Sequence, residues 1–217
     1  MTGRRPGPWA VLLLAVLVGG VAQAWAWRLD VPVVPAVLNT QFAWASLLYA
    51  AGWAGGRGRA QHGAIAGGLT GGVLIGSYYL FQAIADGARS AGDQFTDSRG
   101  VAWVLATVGV GAVLGALGSW AALTSERPRL AAFSLLTMAL FLMAGPMGLV
   151  ALIAQASVDR VAVVILYGLL GGGLAAFAVR RTGVRPALVG GAGAVVAGLA
   201  AVGVLVALLR TVLYVTF

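Results

Sequence analysis

An all-α, polytopic membrane bundle of about seven spans is the fold this sequence predicts, and three observations predict it. Of 217 residues, 60% are hydrophobic and only 9% are charged, with a mean hydropathy of +0.95, against about 25% charged in an ordinary soluble domain. The apolar residues fall in runs of spanning length, since a bilayer core about 30 Å thick needs about 20 of them in a helix. The breaks between runs carry charge, proline or glycine, and no period-2 alternation points to a barrel.

The runs are 9–27, 39–56, 61–85, 101–123, 130–154, 161–179 and 187–209, and residues 1–217 read as one membrane domain. The first opens after Arg4-Arg5 and carries Ala22-Gln23-Ala24, which also fits the n-region and cleavage site of a secretory signal. Its apolarity continues through Trp25, Ala26 and Trp27, so an uncleaved span with interfacial tryptophans is expected; removal of residues 1–24 would leave six spans. The second run is the weakest, with Asn39, Thr40, Gln41 and Ser46 in it. The third holds two small-residue registers, Gly63-Gly67-Gly71 and Gly68-Gly72-Gly76, and is expected to be the central helix, contacted on two sides. Glycine at that spacing lets helix backbones approach closely in lipid. The chain has 33 glycines, about twice the ordinary usage of about 7%. Further pairs are Gly111/Gly115 in the fourth run, Gly168/Gly172 in the sixth, and Gly190, Ala194 and Gly198 in the seventh. In the fifth, Gly145-Pro146-Met147-Gly148 should kink or break the helix, because proline removes a hydrogen bond and clashes with the preceding turn.

Charge follows topology. All 14 basic residues are arginine, against 6 acids, a net +8. With seven spans the connections alternate sides: Arg4, Arg5, Arg57, Arg59, Arg127, Arg129, Arg180, Arg181 and Arg185 fall on one, and Arg28, Arg89, Arg99, Arg160 and Arg210 on the other. The positive-inside rule then puts the N-terminus in the cytoplasm and the C-terminus outside. The acids sort with it: Asp30, Asp86, Asp93, Asp97 and Asp159 lie outside and Glu126 inside. The net charge is thereby an orientation signal, and no nucleic-acid partner is expected.

Chemistry at membrane depth is sparse. No cysteine and a single His62 exclude a thiolate nucleophile and a multi-His metal cluster. A P-loop is impossible without lysine, and neither H-E-x-x-H nor G-x-S-x-G occurs. Asp86, Asp93 and Asp97 lack EF-hand spacing. No enzyme activity, cofactor or metal is therefore expected. One polar cluster remains, at the outer ends of the second and third spans. Tyr78, Gln82 and Asp86 are spaced i, i+4, i+8 on one stripe with Tyr79 beside it, and Asn39 and Gln41 begin the second span on the same side. Gln155 and Asp159 close the fifth span there too. These residues outline an outward-facing vestibule for a small molecule or lipid headgroup; the ordinary alternative is interfacial capping, with Asn39 as an N-cap.

Asn39 with Trp44, Gly76-Ser77-Tyr78-Tyr79, and Trp103 followed by Gly111, Gly115, Gly118 and Trp120 together resemble a family of small multi-pass membrane proteins of high-GC, actinobacterial-type bacteria. The resemblance covers about residues 35–125 and implies a bacterial plasma-membrane location with no enzymatic label. In size and glycine content the chain is also similar to the substrate-binding membrane subunits of energy-coupling-factor transporters, which typically have six spans, although it carries no vitamin-binding signature. Two functions are expected from these readings: small-solute binding associated with transport, or an accessory role through helix–helix association. The partners are the lipid bilayer, a membrane protein or a second copy of the chain, and a small-molecule ligand.

Overall fold

The computed structural model describes residues 7–21, 41–86, 98–153 and 158–215, with side-chain surroundings at 7–20, 41–84, 100–146 and 161–201. The helices, numbered in chain order, are α1 (Pro8–Val16, continued by a π-helical turn Leu17–Val21), α2 (Gln41–Gly55), α3 (Ala60–Asp86), α4 (Ser98–Ala121), α5 (Pro128–Ile153), α6 (Val158–Thr182) and α7 (Val184–Val215). Among the described residues there is no strand, and five helices, α3 to α7, are long and apolar enough to cross a membrane. The expected runs at 61–85, 101–123, 130–154, 161–179 and 187–209 correspond to these five. α1 and α2 are shorter, and residues 22–27, 39 and 40 of the first two runs lie outside the described residues.

Small residues fill the interior and large ones cover the outside. Ala131, Ala132, Ala178, Ser119, Ser134 and Thr70 are fully buried, whereas Leu13, Ile65, Leu69, Leu105, Val113, Leu169, Leu188 and Leu199 are each more than 60% exposed. That much exposed aliphatic surface would aggregate in water; against hydrocarbon it is the lipid-facing belt. Close backbone packing then holds the helices together, because lipid supplies no hydrophobic drive between them.

Two groups of helices result. In the first, α1 to α4 pack closely, and α3 is the central helix as expected, touching α1, the π turn, α2 and α4. Gly115 of α4 abuts Gly63 and Gly67 of α3 and Gly52 of α2, so that a methyl group there would overlap the Gly63 carbonyl. In the second, α5 packs between α6 and α7, with Gly171 against Ala139 and Met143 and Gly190 against Ala132 and Phe133. A core of Phe42, Tyr49, Leu135, Met138, Leu142, Val163 and Tyr167 joins the groups. Phe42 lies 5.3 Å from Phe141 and 5.4 Å from Tyr167 between ring centroids. Ser134 donates a hydrogen bond to the Leu117 carbonyl, and its oxygen lies 2.8 Å from the Tyr49 hydroxyl. A serine hydroxyl has one proton, so Tyr49 donates to Ser134 and the chain of bonds links α2, α5 and α4.

Four expectations about packing are corrected. α3 is contacted on two sides, but only Gly63-Gly67-Gly71 forms a close backbone interface; Gly68 and Gly72 make ordinary contacts and Gly76 meets nothing within 4 Å. Its second side is large instead: Leu74, Ser77 and Phe81 press on Gly19 and Gly20 of the π turn, so the small residues are the partner's. In α6 the packing glycine is Gly171, while Gly168 and Gly172 have no neighbour within 4 Å. The stripe on α7 is used at Gly190 and at Ala194, 2% exposed, but not at Gly198. Of the kink or break expected at Pro146, the break does not occur: α5 runs on to Ile153. The Gly145-Pro146 pair receives Phe42, whose ring occupies the space a side chain at 145 would need.

Two turns set the reversals. α2 leads into α3 through Arg57 and Gly58 at φ 47° and 80°, and α6 into α7 through Gly183 at φ 86°. A residue with a Cβ is disfavoured in that left-handed region. Arg180 and Arg181 in the last turn of α6 face the negative end of its dipole.

Candidate functional site

One stack of residue pairs along the α3–α4 interface builds the site. The two helices run antiparallel, and residues four apart share a face. Gly63 meets Gly115, Gly67 meets Gly111, and a methyl on Gly71 would lie 2.6 Å from the Thr107 carbonyl oxygen. One further step in the same register reaches Ile75 on α3 and Trp103 on α4. The facing side chains thus grow from hydrogen atoms to a threonine and then to isoleucine and indole. At this end of the register lies a cleft of about 390 Å³, lined by both Ile75 and Trp103.

Its lining is Gln41 and Trp44 of α2, Ile75, Tyr78, Tyr79 and Gln82 of α3, and Trp103 of α4. Ile75, Tyr78, Tyr79 and Gln82 fall at i, i+3, i+4 and i+7, one face of a helix, and Gln41 and Trp44 at i and i+3. The floor is Ile75 and Tyr79, both buried, and the outermost wall is Trp103, 58% exposed. Trp44 stands edge-on to Tyr78 at 5.7 Å, and Tyr78 to Tyr79 at 5.5 Å, the separations aromatic quadrupoles favour. The two amides stand on different helices, at the start of α2 and near the end of α3. Each offers two donors and an acceptor oxygen. The described lining is rings and amides, groups suited to stacking on a flat or compact solute and fixing its orientation.

Four expected site residues, Gln41, Tyr78, Tyr79 and Gln82, share this lining. Asn39 lies outside the described residues, as does the side chain of Asp86, whose backbone ends α3. Gln155 and the side chain of Asp159 are likewise outside them. Trp44, Ile75 and Trp103 are site residues that a search for polar groups passes over. The signal for Trp44 is its i+3 spacing from Gln41; the signal for Trp103 is its place four residues before Thr107 on the glycine register. Among the described residues no three His, Cys, Asp or Glu side chains gather as metal ligands would.

No protein-family model, curated protein or solved structure matches the chain.

Proposed function

We propose that this membrane protein binds a small organic solute in the aromatic cleft between α2, α3 and α4, as a non-enzymatic component associated with transport. The observation that carries the reading is the convergence of four aromatic rings and two amides from three helices on one cleft of about 390 Å³, within the range of small-molecule sites. We further propose seven spans with the N-terminus cytoplasmic and the C-terminus outside. Seven described helices and the arginine distribution support this, and the cleft would then open outward. Membership of the actinobacterial-type family belongs to the same proposal; Trp44, Tyr78, Tyr79 and Trp103, which carry that resemblance, are cleft residues.

Native mass spectrometry of gently purified protein tests the binding reading. Wild type should retain a small non-lipid molecule that the Trp44→Leu and Gln82→Leu variants lose while keeping their helicity. Bare wild-type protein whose melting temperature is unmoved by a solute panel would overturn it. A second reading, an accessory protein acting through helix association, is favoured by Gly168 and Gly172 of α6, which have no neighbour within 4 Å. Purification as a ligand-free homo-oligomer supports that reading; a retained solute, or a co-purifying ATPase to supply the energy, supports the first.

A further inference from the structure

At the end of the first helix group marked by the α2–α3 turn, α1, α2 and α3 line a groove of about 300 Å³. His62, Ile65, Ala66 and Leu69 run along its α3 wall at i, i+3, i+4 and i+7, about 10 Å of helix at 1.5 Å per residue; Trp9 and Leu12 form the α1 wall. Ile65 and Leu69 are each 61% exposed and Trp9 75%, so the groove opens sideways onto the lipid-facing belt. An occupant lying between these walls meets mostly apolar side chains, with His62 and Thr70 among them.

The mouth has a different chemistry. Gly55 and His62 line the groove, and between them in the chain stand Arg57 and Arg59, both exposed. Leu123, in the connection from α4 to α5, reaches Gly58 of this turn, which brings that connection to the same end. Arg127, Arg129 and Glu126 follow in that connection and the start of α5 and line no described part of the groove. Arg57 and Arg59, in the turn that adjoins the end of an apolar groove, complement an anionic headgroup with a chain attached.

We infer that the α1–α2–α3 groove is a binding site for one anionic phospholipid, its acyl chain along Ile65 and Leu69 and its phosphate at Arg57 and Arg59. The site is separate from the aromatic cleft and independent of the function proposed for that cleft. The attraction of two basic residues, Arg57 and Arg59, to an anionic headgroup corresponds to roughly a thirtyfold preference over a zwitterionic lipid. A groove filled by a larger wall residue should lose both lipids.

The test is native mass spectrometry of the full chain, delipidated in detergent and supplied with palmitoyl-oleoyl phosphatidylglycerol or phosphatidylcholine. Wild type is expected to hold one phosphatidylglycerol with roughly thirtyfold preference. Arg57→Gln with Arg59→Gln should bring the two lipids close to parity, and Ile65→Trp should lower occupancy by both. Leu69→Trp on the same exposed wall replaces Ile65→Trp if circular dichroism shows that the latter does not fold. Equal retention of the two lipids by wild type overturns the inference. So does undiminished lipid in a folded wall variant, or an equal loss in Arg127→Gln with Arg129→Gln, which would show a general basic belt in place of a site.

Discussion

Removing the Ser134 hydroxyl should destabilise the protein more than removing its tyrosine partner. Tyr49 is 8% exposed and Ser134 0%, and their oxygens are 2.8 Å apart. In Tyr49→Phe the serine still donates to the Leu117 carbonyl, so one interhelical hydrogen bond is lost, about 0.6 kcal/mol in a membrane bundle and up to ~1.7. In Ser134→Ala the tyrosine hydroxyl keeps its proton but has lost its acceptor inside a closed core, and an unsatisfied buried donor costs about 1–3 kcal/mol. The double variant contains no such orphan, so its cost should fall about 1 kcal/mol short of the sum of the two singles. Equilibrium unfolding in mixed micelles of dodecyl maltoside and SDS, followed by far-UV circular dichroism, measures all four corners of the cycle. A Ser134→Ala cost no larger than that of Tyr49→Phe, or a cycle that is additive within ~0.3 kcal/mol, would refute the assignment of Ser134 as the acceptor that closes α2 onto α5.

Glycines of one spacing should respond in opposite directions. Gly67→Ala puts a methyl into the Gly111 carbonyl, forces α3 from α4 and should lower the unfolding midpoint, whereas Gly168→Ala enters open space and should gain up to about 1 kcal/mol of helix propensity; the same mixed-micelle titration reads both, and equal effects would show that the register is not the packing surface. A phosphatase fused after Phe217 should be active only if exported, as the nine-to-five distribution of arginines requires; a fusion inactive there but fluorescent with a cytoplasmic reporter would reverse the proposed orientation.

The helices were legible because apolar run length and arginine breaks are local properties, each tied to bilayer thickness. Which glycine of a helix packs is not local. Gly168 and Gly172 have the same spacing as Gly63 and Gly67, and only the neighbour decides: Gly111 and Gly115 lie opposite one pair, nothing opposite the other. Proline 146 shows the same limit. The sequence marks it for a kink or a break, yet α5 continues through it to Ile153, and the space beside it at Gly145 is filled by Phe42, about a hundred positions earlier in the chain. For the site, polar residues at the ends of spans led to Gln41, Tyr78, Tyr79 and Gln82, while Trp44 and Trp103, which carry the family resemblance, join the site only when three helix ends are brought together.

The position of the cleft bears on how it would bind. It lies along the same register as the backbone contacts at Gly63–Gly115 and Gly67–Gly111, where carbonyls leave no room for sliding. Three of its four rings are held on α2 and α3, helices that both touch α4 through glycine, and Tyr79 is itself buried. A site carried on helices fixed so close to the ligand is largely formed before binding, and little ordering entropy is then lost when a solute enters. The exposed Trp103, on the first turns of α4, is the wall least constrained by that packing. Closure over a solute, where it occurs, should therefore come from the Trp103 side chain and not from movement of α3 against α4. Binding should then alter indole fluorescence while the glycine contacts at Gly63 and Gly67 stay in place.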